Sequence, residues 1–383
     1  MFIYKIKNYK IQKLSCGFTL IEILVTLAMT AVAITAGLLI LGGYNTGKNL
    51  KSEGDQLTAA LQNARQNSIA QQNGARWGVH FSNTTSTQSY SLFRGLSYAS
   101  GTIANTYALR GSIQFGNPSV SSTIDTIFNP ITGYLPSPQV FTLNDGRSDG
   151  LVYDIAVSAL GKITATSDTG LAGYWHFDES TSTLAYDASG KGNNGTLTNG
   201  PTWQSGASCK AGSCLNLSGA VVRQGTQIND NSSIQFGSGS FTILAWINST
   251  QTGQWKRIVT KRGSASAWYS MALNSGKLTA EFYGTLQGAN RQSVKTVNNG
   301  IWHQVVTEYD AANQNINLYI DGVLDSSFSN NLGSTSNNQI LEIGTWGTEA
   351  YDSGSYTGLI DEIRVYNRAL SAQEILDQYN ALQ

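Results

Sequence analysis

The sequence predicts a two-part fold: an α+β module built from a long N-terminal helix and an antiparallel sheet, then an all-β sandwich. Three observations lead there. The first is an uninterrupted apolar run, "FTLIEILVTLAMTAVAITAGLLIL" (18–41), that passes into a polar stretch of helical periodicity. The second is a succession of short alternating segments separated by Gly, Asn, Asp and Pro. The third is a step in composition: Trp77 is the only tryptophan before residue 170, and the other seven lie between Trp175 and Trp346. A chain of 383 residues suggests more than one domain. With 40 glycines and only 13% charged residues, it has the texture of an exported β-protein with many turns.

The opening segment "MFIYKIKNYKIQKLSCG" carries Lys5, Lys7, Lys10 and Lys13 and no acid, which holds this end on the cytoplasmic side of a membrane. As a helix, the following run would extend about 36 Å against a hydrocarbon core of about 30 Å, long enough to cross. No small-residue cleavage site follows it before "NTGKNLKSEGDQ", so cleavage is predicted ahead of the run, between Gly17 and Phe18. Glu22 lies inside the apolar stretch, where a charge costs about 2.5–3.5 kcal/mol unless it finds a partner. Cleavage would create an α-amine at Phe18, one helical turn away. A neighbouring subunit's amine would then neutralise the acid as it leaves lipid, making Glu22 an assembly device.

Beyond the membrane run, Leu50, Leu57, Leu61, Ala64 and Ser68 keep helical spacing, and Asn73-Gly74 supplies a stop. The runs "ARWGVHF", "SYSLFRGL", "YALRGSIQFG", "QVFTLND" and "LVYDIAV" with "GKITAT" read as strands packed on that helix. Past "TATSDTGLAG" come many more, among them "FTILAWINS", "RIVTKR", "WYSMALNSGKLTAEFYG" and "NINLYIDGVLDSSF". Asp321-Gly322 predicts a type I′ hairpin, and Ser371 with Glu374 predicts the capped start of a short C-terminal helix. The expected organisation is a leader at 1–17, the membrane half of the helix at 18–44, a globular head at 45–168, a linker at 169–172 and the sandwich at 173–383.

The segment "GFTLIEILVTLAMTAVAI" with its basic leader resembles the processing site and assembly helix of type IV pilins and type II secretion pseudopilins. That resemblance implies cleavage at Gly17 by a prepilin peptidase, N-methylation of Phe18, residence in the inner membrane before assembly, and packing with other pilin subunits in an extracellular filament. The head resembles that of H-type minor pseudopilins, through "AR" near the helix end, the "YSLF" strand, and an F-x-P-x-x-G turn at Phe128, Pro130 and Gly133. Residues from about 172 onward resemble laminin-G-like, concanavalin-A-like jelly rolls. The motifs "GYWHFDE", "YDASGKGNNGTLTNGPTW", "FTILAWI", "WHQVVTEYD", "LYIDG" and "GLIDEIRVYNRALSAQEI" carry this likeness, in the family's order. The jelly-roll resemblance implies one structural Ca²⁺ held by Asp178 of the "FDE" strand and Asp361 of the "IDE" strand, which suits a hard cation's taste for oxygen.

Charge and cysteine content narrow the function. Formal net charge is zero, and removing the four leader lysines leaves 20 basic residues against 24 acidic ones. A mildly acidic chain disfavours nucleic acid as the main partner. Cys16 lies in the leader, so Cys209 and Cys214 remain as an expected disulfide in an oxidising exterior. No paired-carboxylate strand suited to retaining glycoside hydrolysis occurs, and His80, His176 and His303 are isolated in sequence. The expectation is therefore a non-enzyme. Trp255, Trp268, Tyr269, Trp346, Tyr351 and Tyr356 lie in or beside polar loops, and the last five are the candidate sugar platforms, with Tyr351 and Tyr356 expected to face solvent.

The functional expectation is a minor pilin or pseudopilin that displays a lectin-like domain at a filament tip, for adhesion to a glycan or cell-surface polymer. Two alternatives accompany it: a structural subunit that primes assembly of a pilus or secretion pseudopilus without binding sugar, and a minor pilin for DNA uptake.

Overall fold

The computed structural model describes residues 49–84, 88–145, 152–219, 224–262, 267–346 and 354–383. The leader, the apolar run with Gly17, Phe18 and Glu22, and Tyr351 lie outside the described residues. Helix α1 (49–69) presents Leu50, Leu57, Leu61 and Ala64 to a core, as their spacing requires. It ends in a 3-10 turn, Gln72–Gly74, where Asn73 and Gly74 take φ of 59° and 63°.

Eight strands follow: β1 (Trp77–Asn83), β2 (Gln88–Arg94), β3 (Thr102–Ala108), β4 (Gln114–Asn117), β5 (Ser122–Ile127), β6 (Gln139–Asn144), β7 (Val152–Val157) and β8 (Ile163–Asp168). The one sheet expected from the sequence is in fact two four-stranded sheets, β3-β2-β1-β5 and β4-β6-β7-β8. The run "YALRGSIQFG" is split between β3 and β4, and β5, not foreseen, pairs antiparallel with β1. Both sheets share a core with α1. Phe81 is fully buried there, stacked on Phe141 with centroids 3.9 Å apart and meeting Phe115 edge-on.

The sandwich comprises β9 (Leu171–Trp175), β10 (Leu184–Ala185), β11 (Gly195–Thr198), β12 (Thr202–Ser205), β13 (Ser213–Leu217), β14 (Gly225–Ile228), β15 (Phe241–Asn248) and β16 (Lys256–Lys261). It continues with β17 (Trp268–Asn274), β18 (Lys277–Tyr283), β19 (Gly288–Thr296), β20 (Trp302–Asp310), β21 (Asn315–Ile320), β22 (Val323–Ser329), β23 (Leu341–Ile343) and β24 (Gly358–Tyr366). One sheet runs β10-β11-β14-β23-β16-β17-β18-β19; the other runs β12-β13-β24-β15-β20-β21-β22, with β9 added beside β24. β9 includes Leu171 and Ala172, from the segment expected to be a linker. The inner faces bury Trp175, Phe241, Ile243, Tyr269, Phe282 and Tyr309 among others. Asp321 and Gly322 adopt φ of 54° and 76°, the type I′ hairpin of the β21–β22 turn. A Cβ on Gly322 would meet Leu376 and Tyr379 of helix α2 (Ala372–Ala381) at 3.0 Å. That helix starts with a complete Ser371/Glu374 capping box.

Residues 49–383 form one compact unit, and a third core joins its two modules. Val140, Val152 and Ala156, on the side of β6 and β7 away from α1, pack with Leu171, Tyr174, Trp246, Tyr366 and Ile375. Buried polar groups lie in the same seam. Thr142 Oγ1 donates to Asp154 Oδ1 at 2.6 Å and lies 2.9 Å from His176 Nε2; His176 Nδ1 is 2.9 Å from Glu362 Oε1. Arg364 bonds Tyr174 and Glu362 and reaches Asp154. Burial opposes a charge on His176, but Glu362, with Asp178 and Asp154 behind it, holds its pKa above the ordinary histidine value.

Candidate functional site

Strands β16, β17 and β18 are buried on both faces, whereas the neighbouring edge strand β19 is largely exposed. Tyr269, Met271, Leu273, Leu278, Ala280 and Phe282 point to the core. The intervening Trp268, Ser270, Glu281 and Tyr283 therefore take the opposite face, because strand side chains alternate. In register, Trp268 faces Tyr283 and Ser270 faces Glu281. Trp268, Ser270 and Glu281 are nevertheless at most 6% exposed. Segments carrying Trp255, ahead of β16, and Trp346, after β23, help to line a cleft of about 360 Å³ over this outer face.

The cleft is lined by an alternation of rings and guanidinium groups. Tyr283 stacks on Trp268 with centroids 4.4 Å apart and planes 13° from parallel. Arg262 lies 4.2 Å from the centroid of Trp268 and 4.2 Å from that of Trp346. Arg257 in turn lies 5.5 Å from Trp346 and 5.7 Å from Trp255. Each contact is of the cation–π kind. Arg257 is 3% exposed and ion-paired to Glu281, and its burial and the charge of Arg262 both work against its positive form. Among the described residues, the buried Arg257 Nε and Trp346 Nε1 protons have no hydrogen-bond partner. Trp255 holds φ at 56°, a left-handed backbone that a bulky residue adopts at a cost of about 1–3 kcal/mol.

Of the aromatic residues singled out from sequence, Trp268 and Trp346 meet here, joined through Arg262. Tyr269 does not: it faces the opposite side of β17, fully buried, and its hydroxyl donates to the Ile234 carbonyl at 2.8 Å. Tyr356, expected to face solvent, is also fully buried, its hydroxyl 3.3 Å from the carbonyls of Asn248 and Leu359. A tyrosine next to glycine and serine in sequence is drawn inward here because both its ring and its hydroxyl find partners. Trp255, also noted from sequence as a loop-proximal aromatic, joins Trp268 and Trp346 in the cleft, whereas Arg257, Arg262, Glu281 and Tyr283 were missed as site residues. Their only sequence signal is aromatic and basic residues on alternate strand positions, which says nothing of which strands become neighbours.

The aspartates expected to hold calcium are brought together by a different device. Cys209 and Cys214 form a disulfide, and the loop between them turns its amides onto both acids. Asp361 Oδ2 accepts from the Lys210 and Ala211 amides at 2.9 and 3.0 Å, and Asp178 Oδ1 accepts from the Ser213 amide at 2.6 Å. Gly212, at φ 44°, allows the approach; a Cβ there would lie 2.0 Å from Asp178 Oδ1. Asn117 of the head donates to Asp178 Oδ2 at 2.8 Å, while the buried Asp361 Oδ1 has no hydrogen-bond partner among the described residues. Burial lifts Asp178 to about 6; burial, with Glu362 and Asp178 close by, lifts Asp361 well above the carboxylate range. Among the described residues no group of three or more His, Cys, Asp and Glu side chains is arranged to hold a metal ion. The three histidines, isolated in sequence, each meet a carboxylate in space: His80 with Asp125, His176 with Glu362 and His303 with Asp321.

Family models match two separate stretches of the chain. Residues 12–38 match the prokaryotic N-terminal methylation motif, and residues 222–376 match the concanavalin A-like lectin/glucanases superfamily. The chain joins a pilin-type methylation motif to a concanavalin A-like domain. No curated protein sequence matches it. Among solved structures, the binding domain of Paraclostridial Mosquitocidal Protein 1 is similar at 18% identity and a TM-score of 0.47, over 55% of this chain and 52% of that one. Domain 4 of AbnA, an extracellular arabinanase from Geobacillus stearothermophilus, is similar at 20% identity and a TM-score of 0.44, over 56% of this chain and 98% of that one. The botulinum neurotoxin serotype G binding domain gives 12% identity and a TM-score of 0.44, over 55% and 50%. The chain thus spans about half the length of the two toxin domains. The methylation motif implies a membrane-anchored precursor processed by a prepilin peptidase and assembled with other pilins. Among the described residues, no helix is long and apolar enough to cross a membrane.

Proposed function

We propose that this chain is a minor pilin or pseudopilin subunit whose concanavalin A-like domain binds sugar through the cleft over β16 to β19, displayed at a filament tip for adhesion. The observation that carries the reading is the ring and guanidinium alternation of Trp255, Trp268, Tyr283 and Trp346 with Arg257 and Arg262. Aromatic faces suit the C–H faces of a pyranose, and a few fixed polar groups orient it. The described lining suits binding: its one described carboxylate, Glu281, is paired with Arg257.

Display requires the filament half of the reading. Glu22, neutralised by the processed amine of Phe18 on an adjoining subunit, would draw the chain out of the membrane. A glycan array probed with residues 49–383, together with immunogold labelling of filaments, tests both parts. Sugar binding and labelling at filament ends are the expected results. Binding to no sugar would leave the chain a priming subunit, and uniform labelling along the shaft would remove the tip assignment.

A structural Ca²⁺ belongs to the same reading. The buried, unpartnered Asp361 Oδ1 supports it, although Asp178 would have to exchange its bond to Asn117 or Ser213 to join as a ligand. Calcium titration followed by calorimetry should show binding that Asp361→Asn abolishes; no heat with the unaltered protein would dismiss the ion.

A further inference from the structure

We infer that the groove between helix α1 and the turn joining β7 to β8 is an assembly contact, in which Arg65 takes an aspartate or glutamate side chain of an adjoining pilin-type subunit. The groove has a volume of about 630 Å³. Helix α1 lines it with Gln62, Arg65, Gln66 and Ile69, and the turn contributes Leu160 and Lys162. Among the described lining residues the two charged side chains, Arg65 and Lys162, are both cationic. No hydrogen bond or ion pair from any described residue engages the Arg65 guanidinium or the Lys162 ammonium.

Two glycines hold Arg65 in place. Gly133, at φ 65°, ends the F-x-P-x-x-G turn, and a Cβ there would lie 3.0 Å from Arg65 Cγ. Gly161, at φ 74°, stands in the β7–β8 turn, and a Cβ there would lie 2.7 Å from Arg65 Nε. Both positions use the left-handed backbone that glycine adopts without strain. The turn that ends at Gly133 is itself bound to α1, because Ser68 Oγ donates to the Phe128 carbonyl at 2.9 Å. Backbone from two loops therefore closes on the arginine stem. Its Nε proton is buried with no acceptor among the described residues. The two terminal nitrogens are neither bonded nor buried, so the groove is where an acceptor can reach this charge. A guanidinium fixed in this way loses little freedom on gripping a carboxylate, whose paired oxygens match its fork.

Ile69 and Leu160, 37% and 59% exposed, border the groove with apolar surface that a docked subunit would cover. Covering it thins the water around the charge pair, which then counts for more than a pair on an open surface. A protein carboxylate suits the groove better than nucleic acid does, because one arginine and one lysine offer few contacts to a strand that binds through many phosphates. A partner of the right kind exists: the methylation motif implies assembly with other pilins. The groove belongs to the head, so this contact stands apart from the sugar-binding cleft.

The test places a photoreactive phenylalanine analogue at Gln66 of the full chain, in cells that assemble its filaments, and maps the cross-links in sheared, purified filaments by mass spectrometry. The expected cross-link falls on another pilin-type subunit, within a few residues of an Asp or Glu. Arg65→Gln should lower the amount of this chain in filaments about tenfold or more, and Arg65→Lys should lower it less. Arg65→Glu should regain incorporation when the mapped acid of the partner is changed to Arg. The melting temperature of the detergent-solubilised chain should not fall in Arg65→Gln, because no described residue loses a partner. No cross-link, a cross-link to a segment without an acid or to nucleic acid or lipid alone, or normal incorporation of Arg65→Gln would overturn the inference. So would a loss of incorporation matched by a loss of melting temperature, which would make Arg65 a structural residue. None of these outcomes bears on sugar binding, which the glycan array decides separately.

Discussion

Arg364 Nη1, on the last strand of the sandwich, lies 3.4 Å from Asp154 Oδ2 on β7 of the head, with both side chains at most 8% exposed. The contact crosses between the two modules. With Tyr174, His176, Glu362 and Thr142 it forms a polar seam inside an otherwise apolar junction, so the sandwich is fastened to the head rather than tethered to it.

Breaking that pair from one side should be costly. Asp154→Asn or Arg364→Met leaves a buried charge with less compensation, and the expected loss is about 3–5 kcal/mol in urea unfolding of residues 49–383. A fragment starting at 173 should be less stable than residues 49–383, because it lacks Leu171 and Ala172 of β9 and uncovers Tyr174 and Arg364.

The junction should weaken toward alkaline pH. His176 has a folded pKa raised above its ordinary value of 6.5, so its contribution is complete below 6.5 and is lost as pH rises through the folded value. Glu362, whose pKa is lowered, contributes above 4.5 and loses its effect as pH falls through its own folded value. The groups facing the imidazole are Glu362, Asp178, Asp154, Thr142 and Tyr174. Amide exchange of β7 and β9 should therefore quicken, relative to the rest of the molecule, as pH rises above 6.5. In His176→Asn that differential response should shrink.

Glu308 provides a second pH signal in a separate part of the sandwich. Burial lifts it to about 7, against bonds from Asn317 and from the Leu370 amide that favour its ionised form. A raised carboxylate stabilises below its ordinary pKa of 4.5, and that stability disappears as pH climbs through about 7. Glu308→Gln should match or exceed the parent at pH above 7, and its unfolding midpoint should vary less across this interval.

Reducing the Cys209–Cys214 bond should act locally. The bridged residues are five apart, a loop whose closure is worth about 2 kcal/mol in the chain-entropy picture. The effect should concentrate on the Lys210, Ala211 and Ser213 amides that hold Asp361 and Asp178. Hydrogen exchange with and without reductant would show faster exchange at those three amides and little change in β15 or β20.

The sequence by itself determined whatever is decided within a few residues. The spacing of Leu50, Leu57 and Leu61, the Asp321-Gly322 hairpin, the Ser371/Glu374 capping box and the methylation motif around Gly17 are legible because periodicity, backbone chirality and local hydrogen bonds involve near neighbours. Tertiary structure alone decided which distant side chains share a space. Glu281 neutralises Arg257 because β18 pairs with β17 and β17 with β16, and His176 ceases to be isolated because β24 lies beside β9. Strand order in a sheet follows from the packing of the whole chain. The exposed or buried fate of Tyr356 and the bracketing of Arg262 between Trp268 and Trp346 therefore could not be read from neighbouring letters.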